Sequence, residues 1–212
     1  MRSLSLFSGI GGLSIGTPVL YCDNDVRSTA VLSARMRDGL LPMAPIHDDI
    51  TTLSTVPPDV ELVVAGFPCQ DISCAGIRRG FEGDKSVLFY HVARLVHLSC
   101  PQWVYLENVD RITQMPSVWQ PVILTMSALG YDCTWCVVGA ANVGAPHRRN
   151  RWFCLCRKVR PSRSHLVTTI DFPSNRMHKS GYCRNFEYGA TSFAMPKAFE
   201  YCPPILLSLL PI

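Results

Sequence analysis

Three observations in the sequence predict an α/β fold built on a mostly parallel sheet with an antiparallel pair at its edge. Short apolar runs alternate with segments of helical spacing, each apolar run is followed by a polar or glycine-rich turn, and two cysteine-bearing apolar runs lie too close together to enclose a helix. Strand and helix in alternation imply parallel pairing, because each helix carries the chain back across the sheet. Two strands joined by a short loop pair antiparallel.

Taken in order, RSLSLF (2–7), PVLYC (18–22), VELVV (60–64) and WVYL (103–106) read as buried strands. Between them, 26–37 carries Val26, Ala30, Val31 and Ala34 at helical spacing, and 86–97 carries Leu88, Phe89, Val92, Leu95 and Val96. Asp25 and Asp84 stand near the two starts, where a carboxylate accepts from free helix N–H groups. CTWCVV (133–138) and RWFCLC (151–156) form the expected antiparallel pair. Beyond Pro161 the periodicity fades, so the chain divides into a main domain over 1–160 and an irregular region over 161–212.

At 212 residues and 48% hydrophobic, the chain can bury a sizeable core. Its ten cysteines are spread over a chain with periodicities of its own, unlike a small disulfide scaffold, which points to reduced thiols in a cytoplasmic or nuclear setting. Cys133, Cys136, Cys154 and Cys156 read as small core hydrophobes; a zinc site from their CxxC and CxC spacing is the lesser alternative, so no metal is expected. No apolar run reaches membrane-spanning length, and no membrane partner is expected. Charge is uneven. Up to Asp132 there are 9 Lys and Arg against 13 Asp and Glu, and from Cys133 onward 11 against 3. Such a one-signed segment suits a polyanion.

In a doubly wound sheet, ligands sit at the carboxyl ends of the strands. After the first strand comes Phe7-Ser8-Gly9-Ile10-Gly11-Gly12, a turn that admits close approach to the backbone. After the second come Asp23 and Asp25, suited to ribose hydroxyls, and further on Asp49 and Ile50, suited to an adenine amino group and ring. Together they point to a nucleoside-bearing cofactor; the glycine loop lacks the Lys-Ser/Thr of an ATP-binding P-loop. Cys69 follows the third strand in GFPCQD, fixed behind Pro68, and Glu107 ends the next strand. A thiolate beside a carboxyl at a nucleoside pocket suits addition of a nucleophile across a pyrimidine double bond with protonation of the ring nitrogen.

FSGIGG, GFPCQDIS, LENV and APHRRNR, in this order and over residues 4–156, resemble the DNA (cytosine-5)-methyltransferase family. The resemblance implies a Rossmann-like S-adenosylmethionine-dependent methyltransferase fold, S-adenosylmethionine as cofactor, and duplex DNA with a flipped cytosine as substrate. It implies Cys69 as the nucleophile at cytosine C6, Glu107 at N3, and Arg149 and Arg151 holding the base and the catalytic loop. It further implies that Phe7, Gly9, Ile10, Gly11 and Gly12 line the cofactor, Asp23 its ribose, Asp49 and Ile50 its adenine, and Pro68 and Leu88 the pocket wall. By the same resemblance, the segment from Gln70 to Lys85, with Gly76, Gly80, Gly83, Arg78 and Arg79, is a closing loop, and the region after Pro161 begins target recognition.

The sequence also departs from the family. Ser5 stands where the family has an acid, and His147 and Asn150 replace its Gln and Glu around the arginines. Only LSIGTP separates Gly12 from the second strand, too short for a crossover helix. No further recognition region or final Gly-Asn motif follows to Ile212, which leaves two expectations: impaired methyl transfer, or a second polypeptide that completes the cofactor pocket. The alternatives to a restriction-type DNA methyltransferase are a truncated relative that binds DNA or a partner without catalysis, and a tRNA-methylating enzyme of the same fold. A thiol-redox enzyme fits less well, because Cys69 has no CxxC partner nearby.

Overall fold

A computed structural model of the chain describes residues 1–68, 87–159 and 183–185. Its elements run β1 (Arg2–Leu6), β2 (Thr17–Cys22), α1 (Val26–Arg37), β3 (Ile46–His47), β4 (Leu62–Ala65), α2 (Val87–Ser99), β5 (Trp103–Val109), α3 (Pro116–Ala128), β6 (Tyr131–Gly139), β7 (Asn150–Lys158) and β8 (Cys183–Asn185). The strands form one sheet in the order β3-β2-β1-β4-β5-β7-β6-β8. β1 to β5 pair in parallel. β7 runs antiparallel to both β5 and β6. The expected α/β architecture and the antiparallel pair are both present, and β8 extends the sheet beyond that pair.

The expected strands match to within one or two residues, except that β5, β6 and β7 run longer. Leu4 and Leu6 of β1, Val63 and Ala65 of β4, and Val104 and Leu106 of β5 present one face to Phe89, Val92 and Val96 of α2 and to Val118, Val122 and Met126 of α3. Asp25 caps α1 as expected, accepting from Arg27 N at 3.2 Å and Ser28 N at 3.3 Å, and Leu32 and Met36 seat the helix on Tyr21. Asp84 lies outside the described residues.

Besides β8, two elements carry no sequence signal strong enough to assign them. α3 carries Pro116 in its first turn and Pro121 inside it. The first is tolerated because its missing N–H would be unpaired anyway, whereas the second removes a helix hydrogen bond and reads locally as a breaker. Burial of Val118, Val122, Ile123 and Met126 compensates. β3 is only two residues long and owes its existence to the edge of β2.

The first crossover lacks a helix. Residues 7–16 join the adjacent parallel strands β1 and β2 through turns in which Phe7, Gly9, Gly11 and Gly16 all take positive φ. Leu13 and Ile15 of this link pack against Leu62 and Val64 on the second face of the sheet. Ser3 and Ser5 are buried on β1 beside them. Of the expected 161–212 region only β8 falls within the described residues, so the proposed domain division lies outside them.

Candidate active site

The carboxyl ends of β1, β2, β4 and β5 meet at one rim of the sheet. At the end of β1 the chain reverses through Phe7 at φ +54° and Gly9 at φ +53°. Ser8 Oγ accepts from Cys22 N at 3.2 Å and donates to Ser5 O at 2.9 Å, which ties the turn to the end of β2. Asp23 accepts from Gly9 N at 2.7 Å and from Asp25 N at 3.0 Å. The carboxylate is therefore half-buried and fixed against the glycine turn. Side chains added at Gly9 or Gly12 would meet open space, and Ile10 is 59% exposed despite its apolar side chain.

Asp49 is also at this rim, accepting from Thr51 N at 2.8 Å. That hydrogen bond, with the Thr51 hydroxyl, holds its carboxyl below the usual range. Ile50 turns its side chain into the core, and its carbonyl accepts from Arg94 Nη2 of α2 at 3.0 Å. Leu88, one residue into α2, is half-buried against the core. Cys22, beneath Asp23, has its thiol pushed up to about 12 by burial and by the neighbouring carboxylates. It is inert at neutral pH and belongs to the core.

Glu107 and Arg151 are a diagonal cross-strand pair. Val109 lies opposite Arg151 in the β5–β7 ladder, so Glu107 and Arg151 share a face two positions apart. Arg151 Nε reaches Glu107 Oε1 at 2.9 Å, each side chain being 23% exposed. Burial raises the Glu107 pKa above the usual carboxylate value, against the opposing pull of Arg151 and Arg149. Burial thus works against the ionised carboxylate, while the Arg151 hydrogen bond favours it. Gly66, next after β4, leaves the room this carboxyl occupies, since a Cβ there would stand 3.2 Å from Glu107 Oε2.

Asn108 received no role in the sequence reading, although it lies within the LENV run. It is 3% exposed, faces the opposite side of β5 from Glu107, and donates from Nδ2 to Phe67 O at 3.2 Å while its Oδ1 accepts from Val109 N at 2.8 Å. The amide therefore ties the end of β5 to the Phe67-Pro68 segment that leads directly to Cys69. Pro68 is half-buried. Cys69 and the expected closing loop from Gln70 to Lys85 lie outside the described residues.

Beyond Glu107 opens a cleft of about 550 Å³ lined by Asp110, His147, Arg148, Arg149, Asn150 and Arg151. The loop between β6 and β7 shapes it: Asn142 Oδ1 accepts from Gly139 N at 2.9 Å, and Gly144 turns at φ +92°. His147 and Asn150, the two departures around the arginines, both line this cleft.

A family model for C-5 cytosine-specific DNA methylases matches residues 1–190. The chain belongs to this family. Among similar proteins, the type II methyltransferase M.CviJI of Paramecium bursaria Chlorella virus IL3A is 37% identical over 177 residues, covering 80% of this chain and 47% of that protein. M2.BsuMI of Bacillus subtilis is 36% identical over 200 residues, covering 86% and 50%. This DNA methylase chain therefore spans about half the length of those relatives. Among solved structures, the Entamoeba histolytica methyltransferase EhMeth superposes with a TM-score of 0.60 at 15% identity over 82% of this chain and 57% of its own. The S. pombe Dnmt2 methyltransferase gives 0.57 at 21% identity over 77% and 53%. At those identities the likeness is one of fold alone. Among the described residues no helix is long and apolar enough to cross a membrane.

Proposed function

We propose that this chain is the catalytic part of a DNA cytosine-5 methyltransferase, moving the methyl group of S-adenosylmethionine to C5 of a cytosine in duplex DNA. The observation that carries this reading is the rim itself: a Glu107 carboxyl whose pKa burial raises, clamped by Arg151 and joined through Asn108 to the segment that precedes Cys69. The residues at the rim fit the cofactor. Open space at Gly9 and Gly12, the exposed apolar Ile10 and the half-buried Asp23 carboxylate suit a nucleoside with a short charged tail.

Gly9, Gly11 and Gly12 with Phe7 and Ile10 would hold the methionine part, Asp23 the ribose, Asp49 and the backbone of Ile50 the adenine, and Pro68 and Leu88 the wall. Bound there, S-adenosylmethionine supplies an electrophilic methyl group. Cys69 would add as thiolate to cytosine C6 while Glu107 delivers a proton to N3, so that the adduct is a neutral enamine whose nucleophilic carbon is C5. After C5 takes the methyl group, loss of the C5 proton expels the Cys69 thiolate and restores the aromatic ring. Arg151 orients Glu107 and with Arg149 holds the flipped base and the catalytic loop, while Arg148 and His147 offer the cleft to the DNA backbone. The protein acts in this reading on a base taken out of the stack.

A second reading, a relative that binds DNA without transferring methyl groups, is favoured by the helix-free link between β1 and β2, which thins the support under the glycine turn. One assay separates them. Labelled S-adenosylmethionine is incubated with the chain and with duplex DNA of mixed sequence or with tRNA. Label in DNA that disappears in Cys69→Ala supports the proposal; duplex binding without transfer favours the second reading, and label confined to tRNA overturns both.

A further inference from the structure

Away from the rim, inside the core between the sheet and α3, three thiols meet. Cys154 and Cys156 stand two residues apart on β7 and so share a face, and Cys133 of β6 is the direct cross-strand partner of Cys156. Cys133 Sγ lies 3.2 Å from Cys156 Sγ, Cys154 Sγ lies 3.6 Å from Cys156 Sγ, and all three sulfurs fall within 4.8 Å of one another. Cys154 and Cys156 are fully buried and Cys133 is 6% exposed. Strand alternation explains why each points inward. It does not explain why three touching positions carry thiols in a cluster made mostly of aliphatic and aromatic side chains.

The geometry suits one bound atom. Three sulfurs each about 2.3 Å from a common pyramidal centre, with angles of about 95–100°, stand about 3.4–3.5 Å apart, and the 3.2 and 3.6 Å separations lie on either side of that value. Among the described His, Cys, Asp and Glu residues no fourth ligand joins the group, whereas structural zinc takes four. Burial restricts the charge as well, because an uncompensated ion in an apolar core is costly. Three thiolates around a trivalent centre are neutral, around a divalent centre carry one negative charge, and around a monovalent centre two.

We propose that Cys133, Cys154 and Cys156 form a three-sulfur site for a thiophilic three-coordinate centre of the trivalent arsenic class. The reaction balances without oxidant or reductant. Arsenous acid exchanges its three As–O bonds for three As–S bonds, and each departing hydroxyl leaves as water with one thiol proton. The bound centre would cross-link β6 to β7 six ladder positions from the hairpin loop, at the opposite end of the pair from Arg149 and Arg151.

The test uses the whole chain, reduced with a phosphine and incubated with one equivalent of sodium arsenite until its mass stops changing. The expected product is a denaturant-stable species heavier by one arsenic and lighter by three hydrogens, with Cys133, Cys154 and Cys156 protected from alkylation while the exposed Cys100 stays reactive. Cys154→Ala and Cys156→Ala should lose that product, and Cys136→Ala, on β6 with Cys133 but on the opposite face, should keep it. The alkylation map of the unsubstituted chain stands even where a core variant fails to fold. No adduct, a product lacking only two hydrogens and retaining a hydroxyl, or protection at other cysteines overturns the proposal. Zinc or copper(I) displacing arsenite from the same three thiols would overturn the charge argument and with it the arsenic class.

Discussion

Replacing Asn108 with alanine isolates the link between the two halves of the candidate site. The substitution removes the donor to Phe67 O and the acceptor from Val109 N, at 3.2 and 2.8 Å, in a place that is 3% exposed. Leaving a buried polar group without a partner costs about 1–3 kcal/mol, and two such groups, one of them only half-buried, bring the total to about 2–4 kcal/mol. With a urea dependence of about 2 kcal/mol per molar, the unfolding midpoint should fall by about 1–2 M. The Phe67-Pro68 segment also loses its tether to β5, and displacement of a reacting group by about 1 Å costs on the order of a hundredfold in rate. Under folding conditions the turnover number should therefore fall on the order of 10- to 100-fold with the KM for DNA little changed. Urea titration followed by fluorescence measures the first effect, and steady-state methyl transfer the second. An Asn108→Ala chain with an unaltered midpoint and unaltered turnover would refute the assignment of Asn108 as the residue that positions Cys69.

Glu107→Gln removes a carboxyl whose folded pKa lies above its unfolded one; such a group adds stability that is fully present below the unfolded pKa and lost as pH rises through the folded pKa. Chemical denaturation from pH 4 to 8 should show the unsubstituted chain losing stability relative to Glu107→Gln with rising pH, and the opposite slope would contradict the burial argument. Gly11→Ala forces a side chain into φ +90° against Leu41 and within 3.2 Å of Leu32, so thermal unfolding should show a loss of about 1–3 kcal/mol; an unchanged melting temperature would count against the turn geometry. Asp23→Ala leaves Gly9 N and Asp25 N without their acceptor, and calorimetry should show S-adenosylmethionine affinity down by at least about tenfold. Arg148→Ala, in the exposed part of the cleft, should weaken duplex binding equally across sequences and lower the salt slope by about 0.9 if it meets one phosphate.

The fold was legible where apolar runs were short and bounded. VELVV and WVYL announced β4 and β5, and CTWCVV with RWFCLC announced the β6–β7 pair, because burial on both faces leaves a continuous apolar signature. α3 was illegible because Pro121 is a local breaker whose cost is met by packing that only the tertiary structure reveals. The same distinction holds at the site. Asp23 was visible as an acid at a strand end, but its hold on Gly9 depends on how β1 and β2 align. Glu107 was visible in LENV, whereas its pairing with Arg151 is a consequence of β5–β7 register, which brings together residues 44 positions apart. Asn108 lay in full view, yet an amide acquires meaning only once the carbonyl it holds is known. Ile50 suited an adenine in the sequence, and the structure turns its side chain toward the core instead, leaving its backbone at the rim.

The central claim, covalent catalysis by Cys69 with Glu107 beside it, is tested most directly by a duplex carrying 5-fluorocytosine in all sequence contexts. Fluorine at C5 cannot leave as a proton does, so the final elimination stops and the enzyme stays bonded to C6. With S-adenosylmethionine present, the account expects a denaturant-stable protein–DNA complex whose adduct maps to Cys69 and which Cys69→Ala abolishes. A chain that binds the same duplex and cofactor but forms no adduct, or forms one on another residue, would contradict it.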